Sequence, residues 1–112
     1  MNDRELLELA AKAAGIGPVI GFAAGAGELM IGPRSNIRYW NPLADDGAAF
    51  RLAVIIRPDT IRLRRIVHVS ALVPYEGIRT MTENCEDNAE SRAAAERRAI
   101  VRIAAEIGRG MP

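Results

Sequence analysis

A single cysteine, Cys85, rules out an intrachain disulfide in this chain of 112 residues, so the covalent staples of small secreted domains are missing. The one histidine, His68, and that cysteine fall short of the four ligands of a structural zinc site and the usual three of a catalytic one. Aromatic residues are scarce as well, only Phe22, Tyr39, Trp40, Phe50 and Tyr75, which obliges the core to be aliphatic. The most apolar stretch, residues 13–31, is rich in glycine and alanine, contains Pro18 and is broken by Glu28, so it does not read as a membrane span. Excess charge is missing too. Fifteen Lys and Arg against 14 Asp and Glu leave a net charge of +1, without the large basic excess of a nonspecific nucleic-acid binder. Lys12 is the only lysine. The resulting arginine bias suits paired hydrogen bonds to carboxylates or phosphates, and a GC-rich coding sequence would also produce it. Asp3, Glu5 and Glu8 do not resemble the start of a signal peptide, which sets the expectation of an intracellular protein.

What is present suffices for a single domain over residues 1–112, with an apolar content of 49%. Asn2 and Glu5 have capping-box spacing, and Leu6, Leu7, Ala10 and Ala14 recur along one side before Gly15; this predicts a first helix. Glycines at 15, 17, 21, 25, 27 and 32 would weaken any helix there. Residues 18–23 and 28–31 read instead as short strands joined by a turn at 24–27, with a third strand at 37–40. These glycines do not form a dinucleotide-binding loop: the run from Gly15 to Gly21 has one residue too many before its last glycine, and Pro18 removes a donor. Asp45 and Asp46 open a second helix with Ala49, Leu52, Ala53 and Ile56 on one face, ending at Ile56 before Pro58. Between 60 and 73 the apolar residues fall on odd positions until Arg65 breaks the alternation, which predicts a bulge near Arg64-Arg65 or a split into two strands. A turn at 74–77 and a strand at 78–82 follow. Asp87 and Glu90 again have capping-box spacing, before a helix over 88–107 on which Ala89, Ala93, Ile100, Ala104 and Ile107 share a line and Gly108 offers the stop. The fold class is α+β, with three helices and four or five short strands in a mixed or antiparallel sheet, in the order α-β-β(-β)-α-β-β-α.

Trp40-Asn41-Pro42-Leu43-Ala44-Asp45-Asp46-Gly47, continuing through Leu52-Ala53-Val54, resembles a family of small phage and prophage proteins of unknown function. The resemblance extends to Arg97-Arg98-Ala99-Ile100-Val101-Arg102, to Ala104-Ala105-Glu106-Ile107-Gly108 and to Leu6-Leu7-Glu8-Leu9-Ala10. It implies an α-β-α sandwich with helices on both faces of the sheet, and the cytoplasm of a bacterial host as setting; it implies no activity. The chain departs from the family at Ala48 or Ala49, where an acidic residue is frequent, and at Ile55-Ile56-Arg57, where the family has Lys-Leu-Gly.

Two groups of residues are candidates for function. Trp40, Asn41, Asp45 and Asp46 place an indole and two carboxylates at a helix start, a set able to grip a protein partner. The mechanical alternative has Trp40 in the core and the aspartates capping the helix. Two adjacent carboxylates supply too few ligands for a divalent cation, so neither a metal nor a cofactor is expected. Arg62, Arg64, Arg65, Arg98 and Arg102 are the candidate contacts to a nucleic-acid backbone, provided they cluster. Few aromatics lie among them to stack on bases. Covalent catalysis by Cys85 would require His68 as its base and a third residue to orient it, and Glu86 beside the thiol disfavours a thiolate. The leading expectation is therefore a non-enzymatic accessory protein with an unidentified protein partner. Nucleic-acid binding is the alternative, an enzyme of unidentified type the third. No membrane association is expected, and short edge strands offer a route to a homodimer.

Overall fold

The computed structural model describes residues Met1–Pro112. Each helix starts on a side chain that satisfies its orphan backbone N–H groups. Before α1 (Asp3–Ala14), Asn2 accepts from the backbone N–H of Glu5 at 2.8 Å, and Gly15 ends the helix in the left-handed region at φ 68°. Before α2 (Asp46–Ile56), the Asp45 carboxylate accepts from Gly47 at 3.2 Å and Ala48 at 3.3 Å. Before α3 (Ala89–Arg109) the cap is Asn88, which accepts from Ser91 at 2.8 Å. Asp87, whose spacing to Glu90 suggested it for that role, instead accepts from Arg92 at 2.8 Å.

Six strands form: β1 (Val19–Ala23), β2 (Glu28–Ile31), β3 (Arg38–Trp40), β4 (Asp59–Arg62), β5 (Ile66–Val73) and β6 (Gly77–Asn84). They divide between two antiparallel three-stranded sheets, β1-β2-β3 and β4-β5-β6. The protein is thus an α+β domain with three helices, a small sandwich in which each sheet is followed by a helix. The break in alternation at Arg64-Arg65 is the β4–β5 turn, closed by the N–H of Leu63 donating to the carbonyl of Ile66 at 2.9 Å. Along β5, Val67, Val69, Ala71 and Val73 are buried and the intervening side chains face away, as period-two geometry requires. That outer face carries no helix: Ile61, Leu72 and Ile78 on it are exposed. The second sheet is therefore covered on one face only, where the resemblance implied two.

The core lies around α3, which packs on α1, α2, β5 and β6. Ala95, Ala99, Ile100, Val101, Ile103, Ala104, Ala105 and Gly108 of α3 are all buried, a much broader surface than the single line read from the sequence, and Ala89 at the start of that line is exposed. A helix enclosed from several sides needs small residues on each of them. Gly108 shows the extreme. It lies within the helix, and a Cβ there would meet the carbonyl oxygen of Leu9 at 2.0 Å. Its role is the close approach of α1 and α3; the helix itself ends at Gly110. No polar or charged side chain is buried. No helix is long and apolar enough to cross a membrane.

Candidate interaction groove

A groove of about 700 Å³ is bounded by α2, β4 and the first half of α3. Its floor is made by small apolar residues, Ala49 and Ala53 from α2 and Ala93 from α3, with Ile100 behind them. Along one side run Phe50 and Val54, which lie one turn apart on α2 and are 69% and 59% exposed. These side chains follow from the composition of α2, which has no charged residue after Asp46 except Arg51. A helix that is apolar nearly all round is normally enclosed. Here Ala48, Ala49 and Leu52 are buried while Phe50, Val54 and Ile55 face water.

Charged groups frame the apolar floor. Arg97 of α3 donates to Asp46 at 2.7 Å and, through Nε, to the carbonyl of Leu43 at 2.9 Å, tying the start of α2 to α3. Arg62 of β4 forms a bidentate pair with Glu96 at 2.6 and 2.9 Å. Those hydrogen bonds, together with the carboxylate charge, raise Arg62 above the ordinary arginine value. Arg92 bridges Asp87 and the carbonyl of Arg64 at 2.8 and 3.2 Å. Arg57, just past the end of α2, also lines the groove, with φ 52°.

The structure separates the residues nominated from the sequence. Trp40 is half-buried against the core, and Asn41 accepts from the N–H of Leu43 at 3.1 Å, shaping the turn into α2. Asp45 is the helix cap, and of this set only Asp46 lines the groove. The five arginines form no single patch. Arg62 faces Glu96, Arg64 lies 3.4 Å from Asp87, and Arg65 lies 3.9 Å from Glu86. Arg98 reaches Asp3 at 3.0 Å, and Arg102 pairs with Glu83 and donates to the carbonyl of Thr82 at 3.2 Å. Arg98 and Arg102 line a second, more polar cleft of about 690 Å³ with Arg79, Arg109, Glu83 and Glu106. Glu96 and Arg98 are two residues apart, roughly 200° around the helix, so the two clefts lie on different sides of α3.

His68 is on the outer face of the second sheet, its Nδ1 2.8 Å from the Thr82 hydroxyl, and Cys85 is half-buried after β6, 3.9 Å from the carbonyl of Arg64. No three His, Cys, Asp or Glu side chains come close enough to hold a metal ion. On the same outer sheet face Leu72 and Ile78 oppose each other across β5–β6, and Tyr75 is fully exposed at the hairpin tip.

Sequence reasoning missed Phe50, Val54, Arg57, Arg92 and Glu96. The available signal was the second helix itself, where residues outside the expected face are also apolar. Comparison with protein-family profiles, with curated proteins and with solved structures finds no match to this chain.

Proposed function

We propose that this chain is a non-enzymatic protein-binding module whose α2–β4–α3 groove receives an amphipathic helix from a partner protein. The sequence resemblance adds a phage or prophage origin and the host cytoplasm to this reading. One observation carries it: α2 turns Phe50 and Val54 toward water beside a groove whose floor is alanine. Exposed apolar side chains bordering a concave surface mark a site of association. Small floor residues let a third helix approach α2 and α3 closely, and an i, i+4 apolar rim matches the spacing of helix-in-groove recognition. The α2 side of the groove is about 16 Å long at 1.5 Å per residue, room for about three turns of a guest helix. Nucleic-acid binding has weaker support, because Arg62, Arg64, Arg65, Arg98 and Arg102 each face a carboxylate.

The test is selection of displayed helical peptides on the wild-type chain, with counter-selection on Phe50→Asp. The expected binders carry an apolar stripe, protect residues 50–57 and 89–100 from amide exchange, and lose affinity on the variant. Binders that ignore Phe50→Asp, or that protect the outer face of β5 and β6 instead, overturn the proposal.

A further inference from the structure

Arg57 occupies a position that its own side chain disfavours. Its φ of 52° lies in the left-handed region, where a Cβ is crowded and glycine is the usual residue after a helix. The next residue is Pro58, which further restricts the residue before it. The backbone there gains only the closing hydrogen bond from the Arg57 N–H to the carbonyl of Ala53 at 2.8 Å, which glycine would make equally well. A cation at a helix C-terminus does favour the helix dipole, but an exposed one does so weakly.

The charge of Arg57 is also uncommitted. Of the arginines, only Arg34, Arg38, Arg51 and Arg57 form no ion pair, and of these four only Arg57 lines the groove. The neighbouring guanidiniums of Arg62, Arg92 and Arg97 are held by Glu96, Asp87 and Asp46. The groove therefore has an apolar floor, spent charges along its walls and one free guanidinium at the end where α2 stops. Residues held in such backbone regions cluster at active sites and ligand clamps.

We infer that Arg57 selects the occupant of the groove: the guest helix is acidic, with a carboxylate beside its apolar stripe that pairs with the Arg57 guanidinium. The inference rests on the helix-docking reading of the groove. A planar, always-charged guanidinium can meet a carboxylate with two parallel hydrogen bonds, which a neutral amide cannot reproduce.

Two matched libraries of helical peptides test this, identical in their apolar positions but carrying either glutamate or glutamine at the flanking positions. On the wild-type chain, retention of the glutamate library exceeds that of the glutamine library by about tenfold, the scale of one charge-assisted pair. On Arg57→Gly the preference disappears, and on Arg57→Glu it reverses. Thermal unfolding of Arg57→Gly is measured alongside, and a melting temperature no lower than that of wild type keeps loss of fold from imitating the result. If both libraries bind equally to wild type and both are lost on Phe50→Asp, the groove docks a helix and the role of Arg57 is overturned. If neither library is retained, or if Phe50→Asp retains both, the docking reading fails and the inference fails with it.

Discussion

Single residues in this protein differ sharply in how replaceable they are, and the differences follow from what each side chain touches. Gly108 has no room for any substituent, because the obstacle is the backbone of Leu9 and not a flexible side chain. Gly108→Ala is expected to separate α1 from α3 and destabilise the protein by about 3 kcal/mol or more, read as a drop in the urea midpoint. Asp45 and Asp46, adjacent in sequence, are expected to be unequal. Asp45 satisfies two backbone N–H groups at the start of α2, so Asp45→Ala lowers stability by about 0.5–2 kcal/mol. The Asp46 side chain is 79% exposed, and its partner Arg97 retains the carbonyl of Leu43 when the carboxylate is gone. Asp46→Ala therefore shifts stability by no more than about 0.5 kcal/mol. Wild-type unfolding curves for both variants would show that Asp45 is not the cap.

At the scale of elements, α2 is built for exposure at some expense to its own stability. Replacing Arg57 by glycine relieves the left-handed strain at its end, offset by the greater freedom glycine has in the unfolded chain and by the lost cation at the helix terminus. The net expectation is an unchanged or higher melting temperature, with a gain of up to about 1 kcal/mol; a clear loss would mean that the arginine side chain supports the fold. Local rules made most elements legible in advance. Asn2, Gly15, the turn at 24–27, Asp45, Pro58 and the break at Arg64-Arg65 all lie where the chain changes direction or state, because each acts through hydrogen bonds or torsions within a few residues. The division into two sheets was not legible, since which strand pairs with which is decided by packing between distant segments. Gly108 was misread for the same reason: a glycine near a helix end suggests a stop, and only the crossing of α1 shows why it is there. The groove was half legible. Asp46 and Arg62 were nominated, but as members of two unrelated groups, and no spacing rule relates β4 to the first half of α3. The paired charges explain why the arginines misled. Arg62 and Arg64 look unneutralised in the sequence until Glu96 and Asp87, further along the chain, fold back onto them.

For the molecule as a whole, stability depends on one element more than on any other. α3 contributes eight of the 24 buried residues and packs on α1, α2, β5 and β6. A fragment of residues 1–88, which keeps two helices and all six strands, is therefore expected to show no cooperative thermal transition and little ordered circular dichroism. A separate peptide of residues 86–112 should restore both when added in trans. A cooperative transition in the fragment alone would show that the sheets are stable without α3. The partnership of α1 with α3 also sets a timetable for synthesis. Leu6, Leu7, Ala10 and Ala11 are synthesised about 100 residues ahead of Gly108, where α3 closes against α1. At about 5–20 residues per second, that apolar face waits on the order of 5–20 seconds for its cover on a translating ribosome. During that interval α1 is the segment that a holding chaperone would meet, and a slowing of translation before α3 would lengthen its exposure without altering a single residue.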